Sequence, residues 1–500
     1  MSLIRSKWSL HYISRLSGSL FYSTEALPPS SPAPVDPLIR RISRARDPRI
    51  PVTRELDQWV QEGRHVTKSQ LRKFITILRN SHRLRHALQV SEWMSNKENH
   101  ELTSGDIAVR LDLISKVHGL DEAERYYASI PETSRVVEVY GALLNCYAEH
   151  QSLEKAEATI QKIREFGVNR ALSYNVMLKL YAQMGQYEKM DSLMQEMEEK
   201  GICDGFTINI RLNAYANTSD LKGMEKFLMQ TEADGTTLNW FTYASAANCY
   251  LKAGLSDKSL EMLKKSELFI KGNVSRIAYE SLLTKYAAIG SKEDVYRIWI
   301  MYKNLGKSNN SGYISMLSSL VKLDDIEGAE RILEEWESGY AFFDIRIPNM
   351  LISAYCKKGL LEKAEALISK ILESGNELDG RSWDSLATYY CRNNLTESAV
   401  EVMKKAILAY RPSSKVNPFN LSACIEYLKG KGDSERALDI LKLCRERSLF
   451  SEGTYNELFH FVHVEKPDTS AFHLMAEDHP MEKIDQASDA EKRGEMELSN

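Results

Sequence analysis

Seven cysteines and two basic runs are the side chains that first suggest chemistry in this chain. Paired cysteines would hold zinc or cycle between thiol and disulfide. No Cys-x-x-Cys occurs here, and no cysteine joins a histidine at metal-ligand spacing. Cys146 and Cys249 share one position of an internal repeat, and Cys356 and Cys391 share another, as small buried packing residues do. Unbridged thiols suit a reducing compartment. Arg40, Arg41, Arg44, Arg46 and Arg49 lie among seven prolines between residues 24 and 52. Arg72, Lys73, Arg79, Arg83 and Arg85 lie in Leu71–Met94, which has helical apolar spacing. Either run can meet phosphate oxygens, although the first is read more simply as a solvated segment. No nucleophile–base pair, metal constellation or phosphate loop is present. The expectation is therefore no enzyme, no cofactor, no metal and no small-molecule substrate.

The elements that position these side chains come from a repeat. Ile345–Asp379 reads as a helix to about Lys358, a break at Gly359, a second helix over Leu361–Ser374 and a stop at Gly375, after which the pattern restarts at Gly380. Placing Gly185, Gly254, Gly290, Gly359 and Gly432 in one column, with Gln151, Ser219, Asp324 and Asn394 in the other copies, gives the register. Repeats then start at Lys68, Ser104, Val137, Ala171, Gly205, Trp240, Arg276, Asn310, Ile345, Gly380, Pro418 and Glu452, at intervals of 33 to 38 residues. The eleventh position holds Tyr147, Tyr181, Tyr215, Tyr250, Tyr286, Tyr355 and Tyr390. The twentieth holds Ala87, Ala123, Ala156, Ala329, Ala364, Ala399 and Ala437. A large residue on one helix facing a small one on the next is what close helix packing requires. The tyrosines are therefore expected in the core. A period of this length means a stacked repeat array.

The bulk properties fit one long array in which each repeat leans on its neighbours. The 500 residues are 43% hydrophobic, with a net charge of -4, so any nucleic-acid surface must be local. Residues 1–23 are rich in Arg, Ser and large apolar side chains and contain no acid, which reads as a mitochondrial transit peptide, with chloroplast the alternative. They are too short and interrupted to cross a membrane, and no membrane insertion is expected. Residues 24–65 are expected as a Pro/Arg-rich linker, 66–464 as the α-solenoid of about 11 repeats, and 465–500 as an acidic, disordered tail. The first repeat is expected to cap the array.

The residues within the repeats narrow the family. Across Ser173–Asp204 (SYNVMLKLYAQMGQYEKMDSLMQEMEEKGICD), Pro348–Asp379 and Thr242–Leu263 occur a Tyr-Asn entry, a Tyr-Cys-Lys-Lys-Gly end to the first helix, a Glu-Lys-Ala in the second and a Gly-to-Asp exit. As a set these resemble the pentatricopeptide repeat, over about residues 68–460. The Trp-Leu-Gly-Tyr set of the tetratricopeptide repeat is missing. The resemblance implies an all-α fold, a right-handed α-solenoid superhelix of helix-turn-helix repeats of the P type. No Cys-x-x-Cys follows the array, so a zinc deaminase extension is not expected.

The resemblance also implies a partner, single-stranded RNA, with one base facing each repeat. The fifth residue of a repeat and its last residue would choose the base, and the second would sandwich it. An amide offers both a donor and an acceptor to a base edge. By this reading Asn175 with Asp204 forms a uracil-type pair, with Leu172 as sandwich. Asn209 with Asn239 forms a pyrimidine pair leaning to cytosine, with Phe206. Asn349 with Asp379 is again uracil-type, beside Arg346. The remaining pairs, Ala108 with Val136 among them, depart from the family's set. The expected function is organellar RNA binding in mitochondrial RNA processing, stability or translation, in the matrix. The alternative is a structural or assembly component of the mitochondrial ribosome, or a protein-interaction scaffold, with a degenerate code.

Overall fold

A computed structural model describes residues 37–44, 51–96, 102–167, 170–233, 238–339, 343–410, 416–447, 449–450 and 452–463. The expected transit peptide and acidic tail lie outside the described residues. Among those residues every regular element is a helix. They fall into two compact units, one ending at Val274 and the other beginning at Ser275. In the first unit the helix pairs are Lys68–Asn80 with Leu84–Asn96, Ser104–His118 with Leu120–Ser129, and Val137–Glu149 with Leu153–Glu165. Ala171–Gln183 with Tyr187–Glu199, Gly205–Thr218 with Leu221–Ala233, and Trp240–Lys252 with Ser256–Leu268 follow. The second unit holds Ser275–Ile289 with Lys292–Lys303, Asn310–Lys322 with Ile326–Gly339, and Arg346–Lys358 with Leu361–Glu373. Gly380–Arg392 with Thr396–Ala409, Pro418–Gly430 with Ser434–Glu446, and a last helix, Glu452–His463, complete it. Ten of the twelve expected repeat starts coincide with the first residue of a helix, and the other two differ by one residue.

Local chemistry sets these boundaries. The residue before a first helix is commonly its N-cap. Thr67, Thr103, Asp204, Asn239, Asn309, Asp379 and Asn417 each accept a backbone N–H from the first turn, satisfying donors that a helix start leaves open. The turn between the two helices needs a left-handed residue. Gly185, Gly254, Gly290, Gly359 and Gly432 have φ of 68°, 76°, 93°, 77° and 75°. Gln151, Ser219, Asp324 and Asn394 adopt 56°, 58°, 62° and 57° at the same place despite their side chains. The column that set the register is thus a column of left-handed turns.

Packing follows the large-and-small rule. The twentieth-position alanines are fully buried, as are Met190, Met224 and Val295, which replace them in other copies. Most of the tyrosine column is buried too, with Tyr215 and Tyr390 half-buried, but its hydroxyls carry a second role. Tyr181 donates to Glu157 Oε1 of the preceding repeat at 3.1 Å, and Lys189 reaches the same oxygen at 2.7 Å. Tyr250 meets Glu225 at 3.0 Å, beside Lys258. Tyr355 and Lys363 meet Glu330 at 2.8 and 2.7 Å. Tyr390 meets Glu365 at 2.6 Å. Each lysine also lies near its tyrosine ring, 5.5 to 5.9 Å from the centroid in three of these sets. Lys258 and then Tyr250 hold the Glu225 carboxyl below its ordinary range. This clamp joins the eleventh and nineteenth residues of one repeat to the twenty-first of the repeat before it.

The amino-terminal part departs from expectation. Within the expected 24–65 linker, Pro37–Arg44 and Thr53–Gln61 are helices. Proline at a first helical position loses no hydrogen bond, so Pro37 starts a helix where the proline count suggests a coil. Leu38, Ile42, Leu56 and Trp59 are buried in one cluster with Leu71, Phe74 and Leu78 of the first repeat. Arg83 Nη2 donates to the Ile42 carbonyl at 2.9 Å and Trp93 Nε1 to Asp57 at 2.7 Å. Arg41 is tied to Glu62 by two bonds of 2.7 and 3.0 Å. These helices close the first repeat's open face with apolar surface, each large side chain contributing roughly 1.5–3 kcal/mol.

Candidate nucleic-acid interface

The fifth residue of each repeat lies about one turn into its first helix, and the repeat's last residue commonly caps the next first helix. The structure therefore brings together side chains some thirty positions apart. Asn175 Nδ2 donates to Asp204 Oδ1 at 3.1 Å. A third residue joins them: Thr207 Oγ1 donates to Asn175 Oδ1 at 2.8 Å, while its backbone N–H donates to Asp204 Oδ1 at 2.9 Å. The same triad recurs in the second unit. Asn349 Nδ2 donates to Asp379 Oδ1 at 2.9 Å, and Ser382 Oγ donates to Asn349 Oδ1 at 2.5 Å. Thr207 and Ser382 both occupy the third position of the following repeat, which the sequence reading did not single out. The available signal was a hydroxyl three residues after a capping Asp, the pattern of a capping box.

The third expected pair is built differently. Asn239 caps its helix through Oδ1, accepting the Thr242 N–H at 3.1 Å. The Thr242 hydroxyl lies 3.3 Å from that same Asn239 oxygen. Asn209 Oδ1 is buried without a hydrogen-bond partner. Of the three expected sandwich residues, Leu172 and Phe206 are half-buried, and Arg346 is exposed and ion-paired with Asp344 at 2.7 Å.

Elsewhere the same location is closed. In the first repeat Arg72 occupies the fifth position and grips Asp106 with two bonds of 2.7 Å, and Thr103 with one of 3.1 Å. Burial alone would push the Asp106 carboxyl up, but Arg72 and Thr103 outweigh it and hold it below the ordinary range. At Glu280 the Tyr302 hydroxyl bridges Glu280 and Asn309, 2.9 Å from each. Gly312 sits at the third position there because a Cβ would lie 2.4 Å from the Tyr302 ring. Asp384 is enclosed, and burial pushes its carboxyl up to about 7 even though Asn420 Nδ2 donates to it at 3.0 Å. Ala108, Gly141, Ala244 and Ile314 bring no hydrogen-bonding side chain to this position.

Bases recur at the thirteenth position, near the end of the first helix. Lys252 in the first unit, and Lys322, Lys357 and Arg392 in the second, are exposed there. Lys116 holds the same position but is paired with Asp112 at 2.7 Å. Among the described residues no group of His, Cys, Asp and Glu is arranged to hold a metal ion, and no helix is long and apolar enough to cross a membrane.

The sequence has counterparts among known proteins. The PPR repeat model matches residues 138–168, 172–202, 312–339, 347–376 and 381–407. A mitochondrial pentatricopeptide repeat-containing protein of Arabidopsis thaliana is 46% identical over 456 residues, covering 90% of this chain and 91% of its own length. The chain belongs to the pentatricopeptide repeat family. Another relative in that family comparison is the large ribosomal subunit protein mL101 of Arabidopsis thaliana, 42% identical over 81% of this chain and 84% of its own length. Among solved structures, the maize pentatricopeptide repeat protein PPR10 aligns with 92% of this chain and 71% of its own, at 16% identity and a TM-score of 0.42.

Proposed function

We propose that this pentatricopeptide repeat chain binds single-stranded mitochondrial RNA and acts, without chemistry of its own, in the processing, stability or translation of a transcript. The observation that carries this reading is the recurrence of one triad. Asn175 with Asp204 and Asn349 with Asp379 hold an amide in the same way at the same repeat position, each at a half-buried junction. An amide with a fixed orientation is a reader of base edges. The exposed bases Lys252, Lys322, Lys357 and Arg392 supply local positive charge for phosphates on a chain of net charge -4. Relatives named as mitochondrial, at 46%, 34% and 32% identity, support the mitochondrion, and the matrix is the compartment proposed within it. The proposed organisation is a processed leader at 1–23, a repeat array over 66–464 preceded by the two capping helices, and a tail from 465.

A second reading is favoured by two observations: the similarity to mL101, and the closure of the junctions at Arg72, Glu280 and Asp384. On that reading the array is a component of the mitochondrial ribosome and few repeats need to read bases. The deciding experiment is sedimentation of the tagged protein with and without RNase or magnesium chelation, together with crosslinking to RNA. Crosslinks concentrated on a transcript carrying a spaced UC…U element support the first reading. Near-stoichiometric migration with the large subunit overturns it. In binding assays, Asn175→Ala with Asn209→Ala is expected to weaken RNA binding about tenfold or more.

A further inference from the structure

We propose that Thr207 and Ser382 are positioning residues that turn the reading amide so that an N–H faces the base, selecting uracil over cytosine. The inference rests on the RNA-reading proposal above and adds a residue to it. A carboxylate only accepts hydrogen bonds. The Asn175 atom 3.1 Å from Asp204 Oδ1 is therefore its amide nitrogen, and the Asn349 atom 2.9 Å from Asp379 Oδ1 is likewise. The opposite end of each amide, the carbonyl, is covered by a hydroxyl. Thr207 Oγ1 lies 2.8 Å from Asn175 Oδ1 and 3.0 Å from Asp204 Oδ1. Ser382 Oγ lies 2.5 Å from Asn349 Oδ1 and 3.1 Å from Asp379 Oδ1. In both cases the shorter contact is to the amide, so the single hydroxyl proton goes there. The Asp204 N–H in turn donates to Thr207 Oγ1 at 3.2 Å, which directs the hydroxyl proton away from it. Both hydroxyl residues are buried, Thr207 completely.

The consequence is electronic as well as geometric. One amide hydrogen is held by the aspartate and the carbonyl is engaged by the hydroxyl. The amide hydrogen that remains calls for a carbonyl oxygen on the base. Uracil carries a carbonyl at the place where cytosine carries an amine, so the locked amide favours uracil. The Asn209 junction serves as an internal contrast. There the third-position hydroxyl of Thr242 faces Asn239, and Asn209 Oδ1 has no donor. A carbonyl that lacks a donor calls for an amine, the group that distinguishes cytosine.

The test is enrichment of randomised RNA on the full chain, followed by sequencing. Asn175→Ala and Asn349→Ala first mark which base position each repeat reads. Thr207→Val is then expected to lower the uracil-to-cytosine enrichment ratio at the Asn175 position roughly tenfold, the worth of about one net hydrogen bond. The ratio at the Asn349 position stays unchanged, and Thr207→Ser restores the lost preference. Because Thr207 also serves the helix start, Ser382→Val at the other triad gives an independent reading. An unchanged ratio in both valine variants, at unchanged melting temperature, overturns the positioning role while leaving RNA reading intact. If the wild-type chain prefers no base at either marked position, the RNA-reading proposal fails and this inference with it.

Discussion

Tyr181 and Glu157 stand 24 residues apart in the chain and meet at 3.1 Å, tying a first helix to the second helix of the repeat before it. Lys189 completes the contact from the same repeat as the tyrosine. Tyr250, Tyr355 and Tyr390 make the same contact with Glu225, Glu330 and Glu365. Tyr181→Phe keeps the ring in place and removes only the hydroxyl, so it is expected to cost about 1 kcal/mol. Urea unfolding followed by circular dichroism measures this. In a double-mutant cycle with Glu157→Ala, Tyr181→Phe is expected to cost little once the glutamate is gone. Equal cost in both backgrounds would show that the hydroxyl does not act through Glu157.

The left-handed turns give a paired prediction. Gln151 adopts φ 56° where other repeats use glycine, and Gly359 adopts 77°. Gln151→Gly is expected to raise stability by about 1 kcal/mol, and Gly359→Ala to lower it by about the same. Thermal melting of the two variants should move in opposite directions. A loss of stability in Gln151→Gly contradicts the strain argument.

Asp204 does two jobs that separate by substitution. Its carboxylate accepts the Thr207 N–H as a helix cap and the Asn175 amide as an anchor. Asp204→Ala removes both and is expected to cost about 1 kcal/mol in unfolding experiments. Asp204→Asn retains a capping oxygen, so its stability should stay close to wild type while base preference at the Asn175 position shifts toward cytosine.

Asp384 predicts an unusual pH dependence. Burial raises its carboxyl to about 7, with the charge of Asp379 adding to the effect and Asn420 opposing it. The folded chain therefore keeps a proton that the unfolded chain releases near pH 4. The stability contributed by this group is complete below about pH 4, declines as pH rises toward 7, and is absent above it. Between pH 5 and pH 8 the wild type is expected to lose on the order of 2 kcal/mol at this site. Asp384→Asn should flatten the decline. A pH profile that is identical in the variant contradicts the assignment.

The periodic features were the legible ones. The glycine and tyrosine columns gave the repeat starts within one residue, because each column answers to a backbone or packing demand that recurs in every copy. The tyrosines were expected only as core. Their hydroxyl contacts with Glu157, Glu225 and Glu330 were not legible, since a partner in the previous repeat shows only when two columns are compared at a fixed offset. The helix at Pro37–Arg44 was hidden by composition, because its apolar face is short and its neighbours are prolines. Asn175, Asp204, Asn349 and Asp379 were singled out by resemblance, whereas Thr207 and Ser382, which bond the two amides, belong to none of the pairs the resemblance names.

The clamp has a consequence for how such a chain grows. The Ile345 repeat reaches back with Tyr355 and Lys363 and offers Glu365 forward to Tyr390. Each end of the unit is therefore the complement of the other. A stretch of gene encoding one such repeat, duplicated in frame, produces a copy that already fits both of its neighbours. A deletion of one whole period leaves matching ends to rejoin. Lengthening or shortening by single repeats needs no compensating substitution at the seam, so the number of repeats can drift while the manner of joining stays fixed.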